Sequence, residues 1–161
     1  MLAVAIAGHK KSGKSALLSL VAEALEKRGK RVAVVKYSSH AIEKDNTDAF
    51  WLMRPERPVV NIAPEETVFL WSERLDFAAV VKRLDTDVLL LEGDEAPETI
   101  PRILCFKEVC DENTLWTMGN APVLATQGEC LLQTDAPHFP EMDPIVAEDL
   151  ASLILEKGMR L

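Results

Sequence analysis

A short segment near the start of the sequence has the residue types and spacing of a phosphate-binding loop. It reads Gly8-His9-Lys10-Lys11-Ser12-Gly13-Lys14-Ser15 and matches the pattern G-x-x-x-x-G-K-[S/T] at every fixed position. Glycines let a backbone fold tightly around phosphate oxygens, while backbone N–H groups and the positive end of a following helix point at the anion. We therefore predict that this segment cradles the phosphates of a nucleotide.

Two side chains at the end of the segment carry the chemistry. Lys14 brings a full positive charge to the terminal phosphates and is a predicted catalytic residue, and the Ser15 hydroxyl is a predicted Mg²⁺ ligand. The residues predicted to contact the nucleotide are Gly8, His9, Lys10, Lys11, Ser12, Gly13, Lys14, Ser15 and Ala16.

A second acidic candidate lies where a buried strand is predicted to end, in Asp87-Val88-Leu89-Leu90-Leu91-Glu92-Gly93-Asp94. Four apolar residues deliver Glu92 to the carboxyl edge of the sheet, where open α/β sheets bind their ligands. We predict that Glu92 holds Mg²⁺ together with Ser15 and takes part in catalysis there, and that Gly93 permits a close backbone approach. Asp94 is an alternative metal ligand, and both acidic residues could instead simply begin a solvent-exposed loop.

Two further polar segments could take part in binding. Asp45 and Asp48 lie in the loop after the second predicted strand, where they could contact metal, water or substrate, or form a solvated acidic loop. Thr126-Gln127-Gly128-Glu129 follows the last buried strand, where G proteins read guanine with a Thr/Asn-Lys-x-Asp motif. Because this version lacks both the Lys and the Asp, the residues leave the base open. The three tryptophans are predicted core or interface anchors.

Hydrophobic periodicity predicts the elements that must position these residues. The predicted strands are 2–7, 31–37, 67–71, 88–91, 102–106 and 122–126, and the predicted helices are 14–28, 76–84 and 145–157. The polar, proline-broken segment 38–64 is predicted as a loop with a short helix around 48–53. A strand, a helix and a strand open the chain, which indicates a parallel pair with a right-handed crossover. We predict a single nucleotide-binding domain over 1–161, an α/β, P-loop NTPase-like three-layer sandwich with a mostly parallel central sheet.

Composition narrows the class of protein. The chain has 161 residues and a formal net charge of −8, which disfavours a general nucleic-acid binder. Its apolar runs have the length of strands, far below the roughly 20 residues of a membrane span, and its N-terminus lacks the layout of a signal peptide. We therefore expect a cytoplasmic protein. The three cysteines contain no C-x-x-C pair and are predicted ordinary thiols, the alternative being a metal role for Cys105 and Cys110.

Five segments together resemble the molybdopterin-guanine dinucleotide biosynthesis protein B family, over nearly the whole chain. They are the phosphate loop, Val34-Val35-Lys36-Tyr37-Ser38-Ser39-His40, Asp87-Val88-Leu89-Leu90-Leu91-Glu92-Gly93, Ile100-Pro101-Arg102-Ile103 and Pro144-Ile145-Val146-Ala147. The phosphate loop is shared by very many enzymes, whereas the Leu-Leu-Leu-Glu-Gly strand followed by a Pro-Arg-Ile strand is more specific.

The resemblance implies a GTP-binding, weakly GTP-hydrolysing homodimer that assists the enzyme attaching GMP to molybdopterin. Its implied ligands are GTP and Mg²⁺. Its implied partners are a second copy, a molybdopterin guanylyltransferase-type protein and a molybdopterin-type small molecule. Carried over residue by residue, Gly13, Lys14 and Ser15 bind phosphates and Mg²⁺, and Glu92 matches the acidic residue of the second motif.

The chain departs from the family pattern after its second predicted strand. Lys36 matches the family's Lys, but Tyr37 stands where the family has His. The following segment is shortened, and His40 and Thr47-Asp48 are the nearest counterparts of the family's His and Gly-Lys-Asp residues. These differences fall in a loop that would contact nucleotide, product or partner.

Two other functions fit the same phosphate loop. A small-molecule kinase would need a lid, for which the stiff Arg54-Pro55-Glu56-Arg57-Pro58 stretch is the candidate. A non-hydrolysing adaptor, serving another metal cofactor, would use nucleotide only to set its affinity for a partner. Arginine fingers could come from Arg54, Arg57 or Arg102, but none adjoins the phosphate loop in sequence, so we expect slow turnover.

Overall fold

The computed structural model describes residues 1–38, 52, 57–71, 73–110, 120–130 and 134–161. The chain divides into two compact units, one formed by Met1–Ser38 with Asp85–Leu161 and the other by Ser39–Leu84. The larger unit holds the whole phosphate loop and Glu92, so it is the unit that matters for the predicted site. The single domain predicted over 1–161 stays a prediction.

The larger unit is built on a mostly parallel sheet. Its strands are β1 (Leu2–Gly8), β2 (Val32–Lys36), β5 (Val88–Glu92), β6 (Arg102–Cys110), β7 (Val123–Cys130), β8 (His138–Phe139) and β9 (Met159–Arg160). Their order within the described ranges is β2-β5-β1-β6-β7-β8, all parallel, while β9 pairs antiparallel with β1. The predicted α/β fold with a mostly parallel central sheet is confirmed.

The two central strands are buried on both faces, which explains their continuous apolar sequences. Val4 and Ile6 of β1 point into the core shared with the helices, and so do Val88 and Leu90 of β5. The alternate residues, including Leu89 and Leu91, point to the other face and are also fully buried. Because β1 and β5 are neighbours in register, the ends of both strands reach the same edge of the sheet. The phosphate loop and Glu92 are thereby brought together.

Two helices cover one face of this sheet and pack against each other, α1 (Lys14–Lys27) and α3 (Pro144–Lys157). α1 begins directly after Gly13 and buries Leu17, Leu18, Val21, Ala24 and Leu25. α3 begins after Asp143, whose carboxylate caps the helix by accepting a hydrogen bond from the Val146 amide at 2.8 Å. Arg28, after the end of α1, reaches across to the Glu148 carboxylate at 2.7 Å.

The buried face of α3 differs from the predicted one. The apolar spacing in the sequence predicts an inward face of Ile145, Val146, Leu150, Leu153 and Ile154, but 72% of the Ile145 surface is exposed. The buried positions are Ala147, Leu150, Ala151 and Ile154, with spacings of three and four residues. Small alanines let the backbones of two helices approach closely, so packing against α1 selects this face over the larger side chains at its margin.

The smaller unit contains β3 (Val59–Ile62), β4 (Thr67–Leu70) and α2 (Phe77–Val81). β3 and β4 form an antiparallel hairpin, with Val60 opposite Phe69 and Ile62 opposite Thr67. Trp71 stacks on Phe69 with ring centroids 5.9 Å apart and lies under the Arg83 guanidinium at 5.5 Å. This tryptophan is an anchor within the unit, as predicted, whereas Trp51 and Trp116 lie outside the described residues.

Several element boundaries differ from the prediction. β3 lies in the proline-broken stretch predicted as a loop, and the two-residue strands β8 and β9 were not predicted. β6 and β7 continue to Cys110 and Cys130, beyond the predicted ends. Their last residues include polar ones, but the two strands pair with each other and extend together. The helix predicted at 76–84 is shorter, Phe77–Val81, and the one predicted around 48–53 lies, apart from Leu52, outside the described residues. None of the helices in the described ranges is long and apolar enough to cross a bilayer.

Candidate phosphate-binding site

A cavity of about 420 Å³ opens at the carboxyl edge of the sheet, between the end of β1 and the start of α1. It is lined by Lys10, Lys11, Ser12, Gly13, Lys14, Ser15, Ala16 and Glu92. Every lining residue is one predicted from the sequence to bind nucleotide or metal. Of the predicted set, Gly8 and His9 contribute backbone atoms that shape the loop.

Gly8 ends β1 and turns the chain into the loop. A side chain here would collide with the Cys105 carbonyl of the neighbouring strand β6, and the residue has φ +148°. The Gly8 amide donates a hydrogen bond to Asp94 Oδ1 at 3.1 Å. Asp94, an alternative metal ligand from sequence, is therefore engaged with the start of the phosphate loop.

Gly13 is the N-cap residue immediately before α1 and has φ +89°, a left-handed conformation that suits glycine. Met142, from the segment that leads into α3, packs so closely on Gly13 that a Cβ there would lie 2.7 Å from its terminal methyl carbon. The predicted glycine requirement at this position thus has both a conformational and a steric cause. The contact was not predicted, because Met142 is distant in sequence.

Lys14 folds back over the loop. Its ammonium group donates to the Gly8 carbonyl at 2.6 Å and to the His9 carbonyl at 2.7 Å. These two neutral acceptors hold the ammonium at the rim of the cavity without neutralising its charge. Phosphate oxygens are stronger, charged acceptors, so a bound phosphate would compete well for the same ammonium.

Glu92 and Ser15 meet as predicted. The Ser15 hydroxyl donates to Glu92 Oε1 at 2.9 Å, and the Lys36 ammonium lies 3.0 Å from the same oxygen. Only 8% of the Glu92 surface is exposed. A buried carboxylate needs such partners, since its charge would otherwise be stranded away from water. Sequence reasoning matched Lys36 to a family position but gave it no role.

The residues present fit Mg²⁺. This ion takes oxygen ligands, is held by one or two carboxylates and keeps several waters and substrate phosphates in its shell. The Ser15 hydroxyl and the Glu92 carboxylate supply two such oxygens on one wall of the cavity. The described residues contain no cluster of three or more His, Cys, Asp or Glu side chains that could hold a metal without a substrate. A cation here would depend on phosphate oxygens to complete its shell.

Lys10 and Lys11 add exposed positive charge to the cavity lining. Lys11 has φ +67° and is the one non-glycine residue with positive φ in the described part of the chain. Left-handed backbone costs a residue with a side chain roughly 1–2 kcal/mol. With Lys14, these residues make a cationic site on a protein whose net charge is −8, which favours a polyanionic ligand.

Arg102 is committed to the loop after Glu92. It is 3% exposed, and its guanidinium donates to the Asp94 carbonyl at 3.2 Å and to the Ala96 carbonyl at 3.0 Å. These contacts fix the loop that places Asp94 on the Gly8 amide. The prediction that Arg102 could serve as an arginine finger is not supported by this position, because the side chain is buried and its Nη2 already binds two backbone carbonyls.

The segment Thr126-Gln127-Gly128-Glu129 was compared with a guanine-reading motif, and one of its residues, Thr126, has a structural role. Thr126 is 1% exposed and its hydroxyl pairs with His138 Nδ1 at 2.9 Å, linking β7 to β8. The other candidates from sequence, His40, Asp45, Thr47, Asp48 and Arg54, lie outside the described residues.

Cys105 lies beneath the phosphate loop and is a free, fully buried thiol. Burial raises its pKa to about 12, an effect that the Lys14 charge opposes and the Glu92 charge reinforces. The thiol is therefore protonated and unreactive at neutral pH, which agrees with the prediction of an ordinary thiol.

Comparison with known proteins gives one family. A sequence model described as "Molybdopterin guanine dinucleotide synthesis protein B" matches residues 3–128. A curated protein of Methanocaldococcus jannaschii, provisionally named a molybdopterin-guanine dinucleotide biosynthesis adapter protein, is 27% identical over 116 residues, which are 67% of this chain and 48% of that protein. The chain thus spans about half the length of this relative.

Solved structures agree on the fold. The structure of Bacillus subtilis MobB superposes with a TM-score of 0.74 at 18% identity, covering 95% of this chain and 98% of that one. A structure named molybdopterin-guanine biosynthesis protein B gives a TM-score of 0.68 at 24% identity, covering 96% and 99%. At these identities the likeness establishes the fold alone.

Proposed function

Since the chain belongs to the molybdopterin guanine dinucleotide synthesis protein B family, we propose that it is a GTP-binding accessory protein of that synthesis. In this proposal it binds GTP with Mg²⁺ in the cavity of the phosphate loop and hydrolyses it slowly. The observation that carries the proposal is the meeting of Ser15 and Glu92 at 2.9 Å on the wall of the cavity that Lys14 overhangs.

Each part of the cavity has a task in binding. The Lys14 ammonium leaves the Gly8 and His9 carbonyls for the terminal phosphates, where its charge is closest to the group that would be transferred. Amides at the start of α1 face the inner phosphates. Ser15 and Glu92 would hold Mg²⁺, which when bound neutralises negative charge on the phosphate oxygens.

We expect slow hydrolysis because no arginine of the described ranges lies at the cavity. Its lining contains no arginine, and Arg102 is buried on backbone carbonyls. Related nucleotide-binding folds without an arginine at the phosphates turn over at roughly 10⁻³ per second or less. In this proposal the protein acts as an adapter, and the bound nucleotide sets its affinity for a partner, whereas the rate of hydrolysis is of less importance.

The hairpin of the smaller unit supports the implied homodimer. On one face it exposes Val60, Ile62 and Phe69 at 47%, 79% and 58% of their surfaces. A two-stranded sheet is at best marginally stable alone, and an exposed apolar patch favours burial against a partner surface. A second copy of the same hairpin offers the self-complementary partner that a two-fold dimer requires. The proposed further partners are a guanylyltransferase-type protein and a molybdopterin-type molecule.

Titration calorimetry with Mg²⁺ and GTP, then with Mg²⁺ and ATP, tests the proposal. We expect binding that prefers GTP and is lost in Lys14→Ala but kept in Lys27→Ala, which removes an exposed lysine at the far end of α1. Preference for ATP would favour the kinase alternative and call for a screen of phosphoryl acceptors. Undiminished binding by Lys14→Ala would refute the assignment of the cavity.

The adapter role has its own test. Binding of a guanylyltransferase-type protein is measured by surface plasmon resonance with and without Mg²⁺ and GTP. A nucleotide-dependent change in affinity supports the role, because an effector can only couple to a partner through different affinities of two states. Identical affinity in both conditions, or no binding at all, contradicts it.

A further inference from the structure

Lys36 is placed beside Glu92 by the backbone itself. It is the last residue of β2 and the direct register partner of Glu92 on the neighbouring parallel strand β5. The next residue, Tyr37, donates its amide to the Glu92 carbonyl at 2.8 Å, which continues the ladder past the end of β2. Register partners on parallel strands point to the same face, so the two side chains start side by side.

One carboxylate oxygen carries both contacts at this point. Glu92 Oε1 accepts from the Ser15 hydroxyl at 2.9 Å and lies 3.0 Å from the Lys36 ammonium. The two partners differ in exposure, since the Glu92 side chain is 10% exposed and the Lys36 side chain 57%. The buried anion depends on its partner, whereas the exposed cation can return to water at little cost.

A divalent cation between Ser15 and Glu92 would bring a second positive charge onto this oxygen. Two cations on one carboxylate oxygen repel each other over a few ångströms, in a partly buried setting that screens them weakly. The lysine is the cation that moves away, because its half-exposed ammonium can be solvated by water instead. In the metal-free site, the Lys36 ammonium thus provides the positive charge beside Glu92 Oε1 that a divalent cation would otherwise provide.

From this geometry, and resting on the function proposed above, we infer that Lys36 is a positioning residue for Glu92. It neutralises and orients the carboxylate in the metal-free site and yields Oε1 to the divalent cation that arrives with nucleotide. The site is thereby kept ready without a standing unpaired charge that would repel incoming phosphates.

The test compares Lys36→Met with Lys36→Arg and with Lys157→Met, a matched loss of charge at the exposed end of α3. GTP affinity is measured by calorimetry with Mg²⁺ and again in EDTA. In Lys36→Met we expect metal-free affinity to fall about tenfold, because Glu92 then faces the phosphates unpaired, while affinity with Mg²⁺ stays within about twofold. The ratio of the two affinities therefore rises about tenfold, and Lys36→Arg and Lys157→Met keep the wild-type ratio.

Three results would decide against the inference. An equal loss of GTP affinity with Mg²⁺ and in EDTA would assign Lys36 a purely structural role. GTP affinities that do not change in either condition would show that Lys36 has no role in binding. A Lys36→Arg protein that behaves like Lys36→Met would show that charge is not what matters. Circular dichroism and melting curves verify that each variant folds, and Lys36→Gln replaces Lys36→Met if the latter does not. A wild-type protein that binds no nucleotide would instead refute the proposed function.

Discussion

The Ser15 hydroxyl and the Glu92 carboxylate lie 2.9 Å apart although 77 positions separate them in the sequence. Ser15 lies in the first turn of α1 and Glu92 ends β5, so the contact exists because β1 and β5 are parallel neighbours that finish at one edge of the sheet. This pair joins the phosphate loop to the acidic strand end, and it is the part of the site that suits a divalent cation.

Replacing Glu92 by glutamine should remove the Mg²⁺-dependent part of GTP binding. The amide oxygen can still accept from Ser15, so the fold and metal-free binding are kept, but the charge that attracts the cation is gone. We expect a loss of roughly 10- to 100-fold in affinity with Mg²⁺, the size of a hydrogen bond to a charged group at about 1.5–3 kcal/mol. Calorimetry in Mg²⁺ and in EDTA measures it.

Asp94→Asn is the matched control for that experiment. Its carboxylate lies on the Gly8 amide, and asparagine keeps an oxygen to accept from that amide. Mg²⁺ dependence should therefore persist in Asp94→Asn. If it persisted in Glu92→Gln and vanished in Asp94→Asn, the assignment of the metal ligand would have to be reversed.

Lys11→Gly should stabilise the protein and weaken its binding of nucleotide. Glycine relieves the left-handed backbone at φ +67°, for a gain of about 1 kcal/mol in the free energy of unfolding, and removes a positive charge from the cavity lining. Urea unfolding and calorimetry report the two effects. Lys10→Gly removes a neighbouring charge without such relief, so it should weaken binding with no gain in stability. A Lys11→Gly protein less stable than the wild type would contradict the inference that the Lys11 backbone is strained.

Cys105 should make the protein lose stability in strongly alkaline solution. Its folded pKa is about 12 against an ordinary 9.0, so between these values the unfolded chain has released the thiol proton while the folded chain retains it. The unfolded state then binds fewer protons, and stability falls by about 1.4 kcal/mol per pH unit from this group. Below pH 9.0 the thiol is protonated in both states and the slope vanishes.

The comparison that isolates this slope is Cys105→Ala, which has no thiol to ionise. Its free energy of unfolding, lower at neutral pH because of the cavity left behind, should decline less steeply above pH 9.0 than that of the wild type. Parallel declines in the two proteins would show that burial does not hold this thiol in its protonated form.

The hairpin face should control self-association. Ile62→Ser combined with Phe69→Ser removes the two most exposed apolar side chains of this face, and we expect the proposed dimer to become a monomer in light scattering after size exclusion. Ile145→Ser is the matched control, since it removes an equally prominent apolar side chain on α3. Loss of the dimer in the control alone would move the interface to that helix.

Sequence by itself determined the parts of this protein whose signals are contiguous. The phosphate loop occupies eight consecutive residues, Gly8 to Ser15, and its flanking strand and helix were predicted to within one residue. Glu92 was predicted because an unbroken apolar strand ends at it. Such features follow from local backbone preferences and from hydrophobic periodicity, which act over the same few residues that a reader of the sequence sees together.

Tertiary structure decided what depends on register and on packing between distant segments. Lys36 acquires a task only because β2 pairs with β5 in the register that sets it beside Glu92, and Asp94 reaches Gly8 across 86 positions. The buried face of α3 was likewise chosen by its fit to α1, and Ile145 was left outside. These choices minimise buried unpaired charge and empty space over the whole fold, and no single segment contains the information to make them.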